Sequence, residues 1–344
     1  MKKSRALILP LAVLLLFLLA SCPSAFGKEP KYYWKTATLA PDGVGWARQM
    51  KSIVFPEIEK VTNGDLSIKV YWGGIMGDEE DVIKKMAIGQ LSGAGLAAQG
   101  ANMLCPEMQV VELPFLFNNY EEVDYVKEKM TATFDKLFAK HDYFLLAWVD
   151  QDFDQIYSSK YPMNNFEDFK KARFLTWYGT LEEDLLKSLG ANPVPVNVPE
   201  VSASIRSGVA DTAIGPGLWI VGAQMYSVVK YMNRVKIRYS PAVIVVTLPT
   251  FKALPEDYQK KYYELRGPLM GRFTKEVRKD NIKSVEAMLK YGIVEVKNSP
   301  EFLEELKARS IPIWDRMANK LYPKELLDEI LGHLKQFRAA NPGK

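Results

Sequence analysis

The side chains best suited to chemistry in this sequence are rings and an amide: Trp46, Gln99, Phe153, Trp177, Tyr178 and Trp219. Their chemistry is binding. Aromatic rings bury large areas and attract cations on their faces, and an amide both donates and accepts. Each ring also fits a hydrophobic core, and Trp46 fits one best. Trp177 and Trp219 are the stronger candidates, because one ends a strand and the other follows the Pro216 turn. Patterns for catalysis do not appear. His141 and His333 are the only histidines, far apart and outside any HExxH or cysteine-rich spacing. There is no Gly-x-Ser-x-Gly elbow and no Walker loop. No carboxylates are paired in a way that demands acid–base work. Gly93-x-Gly95-x-x-Ala98 matches a loose dinucleotide fingerprint, but it lies inside a strand pattern. Close packing of a strand on a helix explains it better. The sequence therefore implies no catalytic residue, no metal, no cofactor and no enzyme.

The elements that position these groups are clearest between Phe169 and Pro216. Residues 173–177 (RFLTW) read as a strand, and Tyr178-Gly179 breaks it. Thr180 with Glu183 reads as a capping box, and Leu181, Leu185, Leu186 and Leu189 share one face of the helix that follows. Gly190 ends that helix, Pro199 opens a second one, and Gly208 ends it. Residues 211–214 read as a returning strand. In such a unit the loops after strands and the helix N-termini meet at one sheet edge, where ligands bind. This stretch reads as half of a cleft.

The other half comes earlier. Tyr32–Thr38 reads as a strand followed by the turn Leu39-Ala40-Pro41-Asp42-Gly43. A helix over 45–61 carries Trp46, Met50 and Val54 on one face, with a kink at Pro56. A strand over 66–72, a glycine loop over 73–77, a helix capped by Asp78 and Asp81, and a glycine-rich strand over 93–98 complete a parallel lobe. Residues 143–149 lead out of it, the chain enters a second lobe near Asp150, and 242–247 reads as a buried strand returning to the first lobe. Pro255 opens a helical pattern over Glu256–Tyr291. About 35 residues at 1.5 Å each span roughly 50 Å, longer than one lobe. Two further helices, 300–321 and 323–339, close the chain. The expected organisation is a leader at 1–27, lobe I at 28–149 plus about 235–254, lobe II at 150–234, and bracing helices at 255–344.

A length of 344 residues suits two lobes, and 48% hydrophobic with 25% charged residues is ordinary for a globular protein. The formal net charge is +4, and Lys2, Lys3 and Arg5 lie in the leader. Near-neutrality of the remainder leaves no electrostatic footprint for nucleic acid. The basic start and the apolar run from Leu7 to Ala20 fit an export signal rather than a membrane span. Leu19-Ala20-Ser21-Cys22 has the form of a lipobox that would place a lipid on Cys22, and cleavage after Ala25-Phe26-Gly27 is the rival. Cys105, the other cysteine, reads as an apolar filler.

Several motifs together carry a family resemblance. Asp168, Phe169 and Lys170 open one; Gly190, Ala191 and Pro193 continue it; Glu200, Val201, Asp211 and Pro216 end it. Gly77-Asp78, Gly89-Gln90-Leu91 and Glu112-Leu113-Pro114-Phe115-Leu116-Phe117 add to it, with Tyr120-Glu121-Glu122-Val123 opening a helix. The chain resembles the substrate-binding proteins of TRAP (tripartite ATP-independent periplasmic) transporters, of the DctP type, from about residue 32 to 260. The resemblance implies an α/β, two-lobed periplasmic binding protein (type II-like) with a long lobe-spanning helix. It implies a periplasmic receptor that hands a small organic acid to a small and a large integral-membrane subunit. It also implies an arginine gripping the ligand carboxylate on the strand before Tyr178, but that position is Leu175, and Arg173 lies one pleat back on the same face. A second arginine position holds Asp154, an asparagine position holds Gly215, and an acidic position holds Ala97. The ligand-binding set expected is thus Arg173, Leu175, Trp177, Tyr178, Gln99, Phe153, Asp154, Gly215, Trp219 and Ala40. These departures favour an aromatic, apolar or zwitterionic solute over a plain dicarboxylate. A lipid-anchored receptor for a hydrophobic molecule, working with another periplasmic partner, is the alternative.

Overall fold

The computed structural model describes residues 29–176 and 179–342. Two long strands organise it: β4 (Tyr143–Ser158) and β8 (Tyr231–Thr247), antiparallel over most of their length. On one side of this pair lie β3 (Gly93–Leu96), β1 (Tyr32–Thr38) and β2 (Leu66–Tyr71); on the other lie β7 (Thr212–Gly215), β5 (Arg173–Thr176) and β6 (Asn192–Pro195). The short β9 (Val294–Val296) pairs in parallel with the start of β8. All nine belong to one sheet in the order β2-β1-β3-β8-β4-β7-β5-β6 with β9 off that path.

The register shows how the two ends face each other. Thr38 at the end of β1 pairs with Gly95, and Leu96 at the end of β3 pairs with Val243. Gly215 at the end of β7 pairs with Gln155. The C-terminal ends of both parallel groups therefore point at the middle of β4 and β8. Register shifts break the ladder there, at Asp150/Asp152 and Asp154/Ile156. Irregular pairing of this kind bends and twists a strand pair, which suits a crossing between lobes.

Helices cover both faces. One continuous core joins Glu79–Ala87, Ala98–Leu104, Tyr120–Lys140, Thr180–Ser188 and the C-terminal helices to the sheet. The opposite face is covered by the helical run over 45–61, by Gly217–Gly222 and by the 36-residue helix Glu256–Tyr291. That helix packs Leu269, Phe273 and Val277 at one end of the sheet and Val285 and Met288 at the other. Between these apolar stretches it turns polar. Arg278 donates to Asp150, Asp280 accepts from Arg48 and Gln49, and Asn281 donates to the Gln151 carbonyl while accepting from Leu218 N–H. One helical turn thereby ties the strand crossing to both ends of the molecule. Among the described residues no helix is long and apolar enough to cross a membrane.

Several expectations change. The strand expected over 143–149 runs on to Ser158, so the charged run Asp150–Asp154 is the middle of β4. The strand over 242–247 is the last third of a strand beginning at Tyr231. The third strand stops at Leu96, and residues 98–104 form a helix. Thr180 does not cap its helix: the cap is Gly179, whose carbonyl accepts from Glu183 N–H. Asp78 does form a capping box with Asp81. Helix 300–321 is two pieces, Pro300–Ser310 and Ile313–Met317. A π turn, Met50–Val54, precedes Pro56, which lies in the first turn of the helix Phe55–Val61.

Candidate functional site

The middle of β4 and β8 concentrates charge out of water. Asp150 is fully buried and holds Lys127 at 2.8 Å, Arg278 at 2.7 Å and the Tyr239 hydroxyl at 2.6 Å. Burial pushes its carboxyl up, and the two cations overcome this and hold it below the usual carboxylate range. Asp152 accepts from the Tyr120 hydroxyl and from Phe153 N–H. Burial raises it to about 6.

Asp154 pairs across the strands with Arg238, which donates to it at 2.7 Å and to Glu182 at 2.8 Å. Thr176, at the end of β5, donates to the other oxygen of Glu182. From the opposite end of the sheet, Glu112 lies in the field of Arg238 and accepts from Asn102 at 2.7 Å. Burial raises Glu112 to about 7, against the pull of Arg238. One buried guanidinium thus faces Asp154, Glu182 and Glu112. Two further oxygens here are buried and have no partner, Asp154 Oδ1 and Asn102 Oδ1, and so is Gln99 Oε1 on the same helix as Asn102. Gln99 and Asn102 sit one turn apart on the helix that begins where β3 ends. A buried acceptor without a donor costs free energy, so oxygens of this kind favour a partner that supplies donors.

On the other face the two ends of the sheet touch. A Cβ on Gly45 would meet Leu218 at 3.0 Å, and one on Gly222 would meet Pro41 at 3.6 Å. A Cβ on Gly215 would meet the Trp219 ring at 2.6 Å. Glycine at 215 is what allows that ring to lie across the end of β7.

Of the residues expected to bind ligand, Asp154 falls in this region, Gln99 stands one turn from Asn102, and Gly215, Trp219 and Ala40 lie at strand ends. Ala40 is held in its turn by the Thr38 hydroxyl and by Gly73. Two expected residues stand away from this region. Arg173 starts β5, three residues and about 10 Å from the end that faces the crossing, and it is tied to Asp211 through its backbone at 2.8 Å and its side chain at 3.4 Å. Leu175, one pleat on, is buried in an apolar cluster with Tyr157, Val201 and Ile220. Phe153 packs between Tyr120 and Tyr239 and is buried, so its ring serves the core. Trp177, Tyr178 and Cys22 lie outside the described residues. Arg238, Glu182, Glu112 and Asn102 were not expected. Arg238 belongs to an alternating run, Arg234-Val235-Lys236-Ile237-Arg238, that reads as a solvated face. Cys105 is a buried filler as expected, its thiol donating to Glu107 at 3.4 Å.

Comparison with known proteins gives a consistent result. The model of the family described as "DctP: Bacterial extracellular solute-binding protein, family 7" matches residues 55–321. An uncharacterized protein of Haemophilus influenzae is 27% identical over 220 residues, 60% of this chain and 66% of that protein, just under two thirds of its length. The ectoine-binding periplasmic protein TeaA of Halomonas elongata is 20% identical over 291 residues, 82% of this chain and 84% of TeaA. Among solved structures, the sugar acid binding protein DctPAm of Advenella mimigardefordensis, in complex with galactonate, superposes with a TM-score of 0.83. It is 19% identical and covers 90% of this chain and 99% of that one.

Proposed function

The chain belongs to the bacterial extracellular solute-binding proteins, family 7, and from that membership we propose where its solute sits and what the solute must carry. It is a TRAP-type extracytoplasmic receptor that binds a small organic solute and is not an enzyme. The solute lies at the strand crossing, between the ends of β1 and β3 on one side and of β5 and β7 on the other. It is a small organic acid rich in hydroxyls, or a zwitterion. One observation carries this: Asp154 Oδ1 is a buried acceptor without a donor beside a cation that is already shared, and Asn102 Oδ1 and Gln99 Oε1, one turn apart on one helix, are two more such acceptors. Hydroxyls or an ammonium group would satisfy them. The solute's carboxylate would take the remaining N–H groups of Arg238. Ectoine and galactonate, from the names of two relatives, each combine a carboxylate with donors.

Binding at both ends of the sheet would favour the closed form by population shift. Lobe I would be 28–149 with about 235–254, and lobe II 150–234, braced by 255–344. Delivery would go to one small and one large integral-membrane subunit. Residues 1–27 would direct export to the periplasm, with Cys22 the residue for a lipid.

The test is a thermal-shift screen of the mature protein against hydroxy acids, zwitterions and hydroxyl-free dicarboxylates. A solute at 100 times its Kd adds about 2.7 kcal/mol. Hydroxy acids or zwitterions should stabilise, and Asn102→Ala should weaken the hit at least tenfold. Stabilisation by plain dicarboxylates alone, untouched by Asn102→Ala, would remove these oxygens from the site.

A further inference from the structure

At the β1–β3 end, the sheet face beneath the long helix is floored by the small residues Gly95 and Ala147 and roofed by Tyr258, Tyr262 and Met270. Between floor and roof lies a cavity of about 100 Å³. Gly95 is not needed for the chain path. Its φ is ordinary, and an added Cβ would meet nothing closer than Thr38 at 3.5 Å and Trp46 at 3.9 Å. Its consequence is open space.

The polar groups on the wall point their bonding capacity elsewhere. The Tyr258 hydroxyl donates to Asp65 at 2.8 Å and the Tyr262 hydroxyl to the Leu146 carbonyl. The Thr38 hydroxyl accepts from Ala40 N–H at 3.3 Å. Among the described residues, no buried side-chain oxygen or nitrogen lacking a partner lies on this wall. A buried water needs two to four polar partners, and this wall offers none, so the space favours apolar groups over water. Dry apolar cavities of this order, about 150 Å³ in one engineered case, take up benzene or xenon. A second feature points the same way. The wall over the cavity is the π turn Met50–Val54, which turns Met50 and Val54 into it. Single π turns are rare and concentrate at functional sites.

We infer that this cavity is a second binding site, for a small uncharged apolar molecule of about one aromatic ring or a short hydrocarbon chain. A charged or strongly polar group finds no partner there and is excluded by desolvation. The site is chemically opposite to the acceptor-rich crossing and does not depend on which solute the crossing takes.

The experiment is calorimetric titration of the full mature protein with benzene, with benzoate as the charged control. Benzene should bind at one site per chain and benzoate should not bind there. Gly95→Val and Ala147→Leu each fill the floor and should weaken benzene at least tenfold. If either variant fails to fold, a xenon-pressurised crystal of the wild-type protein decides: xenon between Ala147 and Met50 supports the site. No benzene binding, binding unchanged in a folded filling variant, or a xenon-free cavity overturns it.

Discussion

Replacing Arg238 with methionine removes the guanidinium that Asp154 and Glu182 share. Arg238 is about one-tenth exposed, and its two partners are buried still deeper at 2.7 and 2.8 Å. Removing one member of a buried, hydrogen-bonded charge set leaves the others uncompensated and costs about 3–5 kcal/mol. The deficit depends on pH. Burial already raises Glu112 to about 7 and raises Asp154 despite Arg238. Without the cation both rise further above their unfolded values near 4. A carboxyl whose folded value is raised favours folding below the unfolded value, and that contribution is lost as pH rises through the folded value. Arg238→Met should therefore show a smaller deficit at pH 5 than at pH 8, growing as pH rises through the raised values. At roughly 2 °C per kcal/mol for a chain of this size, Tm at pH 8 should drop by roughly 6–10 °C. Urea unfolding followed by tryptophan fluorescence at both pH values measures it. A deficit below about 1 kcal/mol at pH 8, or one larger at pH 5, would refute the role given to Arg238.

Glu79 is buried and accepts from Ala97 N–H at 2.5 Å and Gly100 N–H at 2.6 Å, and burial raises it to about 7. Its contribution is present below about pH 4 and lost towards pH 7, so Glu79→Gln should flatten the fall in urea midpoint over that window, and an unchanged slope would assign the titration elsewhere. Gly77 has φ +95, and a Cβ there would lie 2.4 Å from Asp81 Oδ2. Gly77→Ala should strain the turn and break the Asp78–Asp81 capping box at a cost of roughly 2–4 kcal/mol, read as a loss of Tm.

The parallel units, the Asp78 cap and the long helix were legible because each is written in local pattern: period, cap residue, terminal glycine. Gly190 and Gly208 end their helices at φ +77, as their spacing suggests. The strand crossing was not legible. Asp150-Gln151-Asp152-Phe153-Asp154 has the composition of a solvated exit, and only distant partners make it tolerable inside a sheet. Lys127 and Arg278 come from 23 residues before and 128 after Asp150, and Arg238 from 84 after Asp154. No window of sequence contains both a charge and what neutralises it. The same limit explains Leu175 and Arg173. Spacing located the family's arginine position, but whether a neighbouring arginine could replace it depended on which end of β5 faces the crossing, and that follows from the β7 register.

The family resemblance implies arginines at 175 and 154, and this chain has neither. Leu175 completes an apolar cluster, and Asp154 carries the opposite charge. In the proposed site Arg238, opposite Asp154 across the strand pair, takes the place of the missing cation. A guanidinium on β8 differs from one on β5 in what it couples. β5 belongs to one end of the sheet, whereas β4 and β8 run through both. Arg238 is bonded to Glu182 from the β5 end while its field reaches Glu112, held by Asn102, at the β3 end. Separation of the two ends would part a cation from one of its anions, and Pro41 against Gly222 and Gly45 against Leu218 show those ends in contact. In the proposed site, a solute that donates to Asn102 and Asp154 together would add bonds that exist only with the ends closed. Differential contact of that kind is what a ligand needs to shift a two-state equilibrium. A solute reaching only one end would bind without closing the cleft.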